Sequence, residues 1–208
     1  MEVVLLSCTI DEVLYFLQRK TRDWISEPSQ LIFGVSASKF LEFAIEDSKI
    51  SSIHGRVNSL SNIKRAVECR IDELLYALCL QVKSNKDKWD FPKKIQVLGD
   101  LGMLAPPILT KINRKRNQLE HQYVEPTQDD VDDALGVTTL FFGYTDRFSR
   151  KGPIIETRCT SENLLNIERK NGIITIKEGG GLRKLNIGDE DGWLEVAKIL
   201  ASLWTKHN

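Results

Sequence analysis

Hydrophobic residues recur at helical spacing through the first 150 residues of the chain. Thr9 followed by Glu12 has the pattern of a capping box, Ser36 or Ser38 can cap a second helix, and Thr127 can cap the last helix of this stretch. Pro106-Pro107 suits the first turn of another helix. The pattern predicts helices over residues 9–25, 36–50, 61–82, 93–101, 106–125 and 127–147.

The pattern changes to an alternation of apolar and polar residues after Gly152-Pro153. It predicts four short strands over residues 154–159, 164–168, 173–177 and 182–187, and a final helix from Asp189 to Lys206. Asn171-Gly172 is typical of a two-residue hairpin turn. The predicted fold is therefore mainly α. It has an N-terminal helix and linker (1–35), a helical bundle (36–150) and a small C-terminal α+β appendage, a β-meander plus helix (153–208).

The charge balance limits the kinds of partner that the chain suits. Lys and Arg together number 29, as do Asp and Glu, so the formal net charge is zero. A neutral chain lacks the broad basic field of proteins that coat nucleic acid. Any contact with RNA or DNA therefore has to come from a local patch. A nuclease that touches only a few phosphates remains compatible with this composition.

Cysteine and histidine spacing predicts neither a disulfide framework nor a metal site. Cys69 and Cys79 lie within one predicted helix, about 15 Å apart at 1.5 Å per residue, which is too far for a disulfide. The aspartates of residues 129–133 are explained by the N-terminus of a helix, where acidic side chains are favourable. The first residues lack the basic start of a signal peptide, and no apolar run reaches membrane-spanning length. We expect a cytoplasmic protein without cofactor, metal or membrane partner.

The segment Arg116-Asn117-Gln118-Leu119-Glu120-His121 combines residues suited to chemistry on a phosphate. On a helix over 106–123, Asn117 and His121 are i, i+4 neighbours on the polar face, whereas Arg116 lies about 140° from His121. One regular helix therefore cannot easily direct both at one substrate. Two copies of the helix, related by a two-fold axis, can place an Arg and a His from different chains around one phosphate.

These residue types suit cleavage of a phosphodiester without metal. The guanidinium of Arg116 can stabilise charge on phosphate oxygens. His121 can take a proton from an RNA 2′-hydroxyl or give one to the leaving oxygen, and Asn117 can orient His121 or bind phosphate. A purely structural reading is also open. Cations near a helix C-terminus complement the macrodipole, and Arg116 with Glu120 forms an i, i+4 pair.

The stretch from Ile112 to Tyr123, followed by Pro126 and the acidic start of another helix, resembles the HEPN superfamily. The signature of that family is Arg, four to six residues, then His, often with a polar residue directly after the Arg. Here the spacing is four and the polar residue is Asn117. The resemblance spans about residues 36–150 and implies a helical bundle that dimerises through the face carrying the motif.

Many HEPN members are metal-independent RNases of toxin or defence systems, which leave a 2′,3′-cyclic phosphate. The resemblance therefore implies an endoribonuclease with a composite site in a homodimer, and an antitoxin or other partner protein. Arg116, Asn117 and His121 are the expected catalytic residues. The expected substrate-binding residues are Lys111, Arg114 and Tyr123. Other members are non-catalytic nucleotide-binding or protein-interaction modules, which is the alternative function.

Overall fold

The structure, a computed structural model, is mainly helical and contains one six-stranded sheet. It divides into two compact units. Unit 1 comprises residues 1–30, 74–103 and 147–208, and unit 2 comprises residues 31–73 and 104–146. The residues that the structure describes are 5–7, 9–18, 23–26, 33–103, 124–149, 154–158, 164–168, 172–178, 181–187 and 192–206.

The helices and strands are numbered along the described residues. The helices are α1 (Ile10–Gln18), α2 (Ala37–Ser48), α3 (Ile53–Ala77), α4 (Gln81–Lys86), α5 (Phe91–Asp100), α6 (Gln128–Ser149) and α7 (Trp193–Lys206). The strands are β1 (Leu5–Ser7), β2 (Asp23–Ser26), β3 (Ile154–Arg158), β4 (Leu164–Glu168), β5 (Ile173–Glu178) and β6 (Gly181–Asn186).

The sheet of unit 1 has the strand order β1-β6-β5-β4-β3-β2. Strand β1 pairs with β6 in parallel, and every other pair is antiparallel. The predicted meander of four strands is therefore confirmed as β3 to β6. The last described β4–β5 pair is Glu168 with Ile173. Residues 169–171, which include Asn171 of the predicted hairpin turn, lie outside the described residues. Gly172 has a φ of +64°, the left-handed conformation for which glycine is favoured.

The N-terminal segment differs most from its prediction. A helix had been expected over residues 9–25, but α1 ends at Gln18 and Asp23–Ser26 forms β2 instead. Strand β2 extends the sheet beside β3, and β1 extends it at the other edge. Residues 1–30 thus share a unit with residues 147–208, which differs from the predicted separate N-terminal segment.

The buried residues of unit 1 come from the sheet, from α1 and α7, and from residues 74–103. Alternate residues of β5 are buried, and Ile174 is paired with the buried Leu185 of β6. Val13 of α1 and Val196 of α7 are fully buried, and these two helices are in contact. A Cβ on Gly192 would lie 2.9 Å from the side chain of Ile10, so the start of α7 packs closely on the start of α1.

Unit 2 is built from α2, α6 and the part of α3 up to Glu73. Ser36 caps α2, because its side chain accepts a hydrogen bond from the backbone N–H of Lys39, and this predicted helix is confirmed. The buried apolar residues come from all three helices and make one core; they are Ala37, Ala44, Leu60, Ile63, Ala66, Val67, Ile71, Val131, Ala134, Phe141 and Phe142.

Helix α3 begins eight residues earlier than the predicted residue 61 and ends five residues before the predicted 82. Gly55 lies in its first turn, where the Ser52 hydroxyl accepts its N–H. A Cβ on Gly55 would lie 2.4 Å from the carbonyl oxygen of Ile50, so glycine permits α2 and α3 to turn closely. At the other end Cys79 takes a φ of +63° and stops the helix. Helix α4 then covers part of the predicted loop over residues 85–88.

The predicted bundle over residues 36–150 is likewise divided by the structure. Residues 74–103, which carry α4 and α5, belong to unit 1 rather than unit 2. The helix predicted over residues 93–101 is confirmed as α5, which begins two residues earlier, at Phe91. The Asp90 carboxylate accepts the N–H of Lys93, and Pro92 occupies the first turn. The predicted helix over residues 106–125 falls almost wholly in residues 104–123, which lie outside the described part of the chain.

Candidate functional site

All six predicted site residues lie outside the residues that the structure describes. They are Lys111, Arg114, Arg116, Asn117, His121 and Tyr123, within residues 104–123. The structure therefore neither brings them together nor separates them. What it does describe is the chain on both sides of this segment and the helices of the unit to which the segment belongs.

The chain enters the segment from a well-defined helix end in unit 1. Gly102 has a φ of +72° and its N–H bonds to the carbonyl of Gly99, at 2.9 Å. The N–H of Met103 bonds to the carbonyl of Leu98, also at 2.9 Å, and the Met103 side chain is buried. These bonds are those of a left-handed helix cap, which satisfies the last carbonyls of α5.

The chain leaves the segment at residues that Arg56 holds in place. The Arg56 Nε–H donates to the carbonyl oxygen of Pro126 at 2.7 Å, and Nη2 lies 2.5 Å from Oε1 of Glu125. The Arg56 side chain is 19% exposed, so these charge-assisted bonds are partly shielded from water. Glu125 and Pro126 are the fourth and fifth residues after His121 in the sequence. The chain directly after the motif is thus fixed to the first turns of α3.

A capping box continues the chain after this anchor. The N–H of Asp130 donates to the Thr127 hydroxyl at 3.2 Å, and the N–H of Thr127 donates to the Asp130 carboxylate at 3.1 Å. Two backbone donors at the start of α6 are therefore satisfied by side chains. The predicted cap at Thr127 is confirmed. The acidic residues at positions 129 and 130 lie in the first turn of α6, where the helix dipole favours them.

Arg70 is a buried charge that the sequence had not singled out. Its side chain is 3% exposed, its Nη2 lies 3.2 Å from Asp146 and 3.3 Å from the Ser38 hydroxyl, and its guanidinium stacks 4.4 Å from the ring centre of Phe142. Nη1 lies 3.6 Å from Glu73. These partners come from α2, α3 and α6, so Arg70 ties the three helices of unit 2 together. Its burial and its contacts with three helices give Arg70 a structural role in unit 2.

Cys69 has the surroundings of an inert thiol. Its Sγ lies 3.8 Å from the Glu73 carboxylate and 3.7 Å from the Val35 carbonyl. Burial, and then the nearby charges of Glu73 and Asp72, raise the pKa of Cys69 to about 12. The thiolate is the nucleophilic form of cysteine, so this thiol is unreactive near neutral pH. Cys79 is fully buried.

His54 is the histidine of unit 2 that the structure does describe. It is exposed at the start of α3, and its Nε2 lies 2.9 Å from Nδ2 of Asn58. Arg56 projects about 160° away around the helix, so the exposed pair does not share a face with the anchor. This histidine therefore offers a control for the predicted role of His121.

Among the described residues, no group of three or more His, Cys, Asp and Glu side chains is arranged to hold a metal ion. None of the helices in that part of the chain is both long and apolar enough to cross a bilayer. No protein-family model, curated protein or solved structure matches the chain.

Proposed function

We propose that the protein is a metal-independent endoribonuclease of HEPN type, with a composite active site at the interface of a homodimer. The observation that carries the proposal is the motif of Arg116, Asn117 and His121, followed within five residues by a segment bonded to Arg56 and then by a capped helix. The order of the helices on either side of the motif supports it. A long helix (α3) and a shorter one (α5) precede the motif, and a helix (α6) follows it, as in the pattern that the resemblance implies.

The chemistry follows from the residue types. His121 takes the proton of the 2′-hydroxyl, whose oxygen then attacks the adjacent phosphorus, and a second histidine protonates the leaving 5′-oxygen. Arg116 stabilises the charge that develops on the phosphate oxygens, and Asn117 orients the imidazole or binds the phosphate. The products are a 2′,3′-cyclic phosphate and a 5′-hydroxyl. Two symmetry-related chains supply the two histidines and overcome the divergence of Arg116 and His121 on one helix.

The substrate-binding residues proposed with this site are Lys111, Arg114 and Tyr123. Their charges and ring suit the phosphate and base of an RNA strand. The bonds of Arg56 to the chain after the motif support the site, because catalysis depends on side chains being held in place. A toxin or defence role, with an antitoxin as partner, would follow from cleavage of cellular RNA. Expression of the protein in growing cells tests that role. We expect growth to arrest, and His121→Ala to relieve the arrest.

The deciding experiment is cleavage of RNA by the purified protein in the presence of a chelator. We expect products with cyclic phosphate ends, and no cleavage of a DNA strand, which lacks the 2′-hydroxyl. His121→Ala should lower the rate by about 10²–10⁴-fold. Arg116→Lys should also lower it, since lysine keeps the charge but loses the planar fork. His54→Ala removes an exposed histidine of the same unit and should leave the rate unchanged.

Two results would reject the nuclease proposal. Full activity of His121→Ala, in a preparation free of contaminating RNase, would show that the motif is helix-end electrostatics. Activity that is lost with chelator and restored by a divalent ion would indicate metal-assisted hydrolysis instead. A strict monomer at micromolar concentration would remove the composite site. In the first case the cleavage would come from another part of the chain. Wild-type protein that cuts no RNA would instead make a non-catalytic nucleotide-binding or protein-interaction module the better interpretation.

A further inference from the structure

Two tryptophans and a lysine meet on unit 1, away in sequence from the predicted motif. The ring centres of Trp89, between α4 and α5, and Trp193, at the start of α7, are 5.3 Å apart at an interplanar angle of 43°. The Lys83 Nζ lies 5.5 Å from the ring centre of Trp193. Both rings are only half-buried, whereas the neighbouring core residues Val97 and Leu98 are at most 2% exposed. The tryptophan pair thus borders solvent instead of filling the core.

The chain around Trp89 is locally basic, although the whole chain has no net charge. Residues 83–94 contain five lysines and two aspartates, a local charge of +3 in a chain of net charge zero. Lys86, Lys88 and Lys93 are exposed, on either side of Trp89 in the sequence. One of the aspartates, Asp90, uses its carboxylate to cap α5, and the other, Asp87, pairs with Lys83 at 3.0 Å. Both acids are therefore occupied locally.

The surface of Trp89 and Trp193 with Lys83, Lys88 and Lys93 will be called the tryptophan–lysine surface. We propose that it binds single-stranded nucleic acid, with phosphates on the exposed Lys88 and Lys93 and a base stacked on the exposed part of the tryptophan pair. Aromatic rings accept any unpaired base, and lysine contacts phosphate as a point charge, so this chemistry selects single strands rather than a sequence. In a duplex the bases are paired and stacked on one another, so they are not available to stack on the tryptophan rings.

The backbone presents this surface in a defined conformation. Lys88 has a φ of +52°, which is uncommon for a residue with a side chain, and the N–H of Trp89 bonds to the Ser84 carbonyl at 2.9 Å. The turn between α4 and α5 is therefore held by hydrogen bonds at both ends, since Asp90 caps α5. A surface on a fixed turn loses little entropy on binding.

The test is binding of labelled oligothymidylate and oligouridylate, measured by fluorescence anisotropy over a range of salt concentrations. Oligothymidylate lacks the 2′-hydroxyl, so its binding is read independently of any RNA cleavage. The charge variant is Lys88→Gln with Lys93→Gln. Its matched control is Lys49→Gln with Lys177→Gln, which removes two exposed lysines elsewhere.

We expect wild-type protein to bind both oligonucleotides and to bind duplex DNA more weakly. The charge variant should lower the salt dependence of log K by about 1.4, since each phosphate contact on a single strand contributes about 0.7. The control should leave that slope unchanged. Trp89→Leu should weaken binding by about five- to 150-fold, from the loss of one stacked base. Melting temperatures verify that each variant is folded.

The proposal is overturned if the charge variant and its control have the same salt dependence, or if duplex binds as tightly as single strands. It is also overturned if wild-type protein binds neither oligonucleotide. If Trp89→Leu does not fold, the proposal is still tested by comparing the salt dependence of binding between the charge variant and its control. Loss of RNA cleavage with binding of oligothymidylate intact would count against the nuclease proposal alone.

Discussion

Replacing Arg56 with alanine should loosen the chain that follows the motif. The variant loses two interactions: the bond from Nε to the Pro126 carbonyl and the ion pair with Glu125. Pro126 is buried, so its carbonyl loses a charged donor in a place that water reaches poorly. A hydrogen bond to a charged group contributes about 1.5–3 kcal/mol. The Glu125 side chain is 54% exposed, so its ion pair adds at most about 1 kcal/mol.

Together these terms predict that Arg56→Ala lowers the free energy of unfolding by about 2–3 kcal/mol, mostly through the Pro126 carbonyl. Glu125→Gln removes only the ion pair and should cost less than about 1 kcal/mol. Arg65→Ala is the matched control. Arg65 is an exposed arginine of the same helix that donates to Asn62, and its loss should cost at most about 0.5 kcal/mol.

Two measurements separate local from global effects. Urea unfolding followed by circular dichroism gives the free energy for each variant. Hydrogen exchange detected by mass spectrometry reports the amides at the start of α6, where the Thr127–Asp130 box follows the anchor. Their protection should fall by about 30- to 150-fold in Arg56→Ala, the equivalent of 2–3 kcal/mol where exchange follows unfolding. If Arg56→Ala were no less stable than Arg65→Ala, the reasoning about the anchor would be refuted.

Local chemistry explains the parts of the fold that the sequence predicts well. Thr9 with Glu12 forms the expected capping box, with bonds of 2.8 and 3.3 Å, and Ser36 and Thr127 cap their helices as expected. A cap needs only residues three positions apart, so sequence alone reveals it. The four C-terminal strands are found for a similar reason, because alternation is a property of consecutive residues.

The parts of the fold that the sequence did not predict depend on pairing between residues distant in the chain. Strands β1 and β2 have three and four residues, too few for an alternation to be read, and they exist because β6 and β3 lie beside them. The division into two discontinuous units depends on such contacts too. The start of α3 was predicted eight residues too late, and the close turn that Gly55 permits between α2 and α3 depends on contacts with Ile50 and Asp47.

The same contrast between local sequence patterns and long-range contacts applies to the candidate sites. Arg116, Asn117 and His121 can be proposed from the sequence because their residue types suit phosphodiester chemistry and their spacing resembles the HEPN motif. Whether they act together depends on a second chain, which periodicity cannot supply. The contact of Trp89 with Trp193, and the burial of Arg70, join residues far apart in the chain. No local pattern indicates either of them.

Four further predictions concern residues of unit 2. Gly55→Ala should destabilise by about 1–3 kcal/mol, because its Cβ would lie 2.4 Å from a backbone oxygen. Gly136→Ala has open space around it and should stabilise by up to about 1 kcal/mol in the same urea assay. Arg70→Met should cost about 1–3 kcal/mol in that assay, because it removes the buried guanidinium that bonds to Ser38 and Asp146 and lies beside Glu73. Because burial raises the pKa of Cys69 to about 12, its alkylation in folded protein should stay slow as the pH rises through the ordinary thiol range. Peptide mapping measures this, and labelling of Cys69 as fast as in urea would contradict the thiol's protected state.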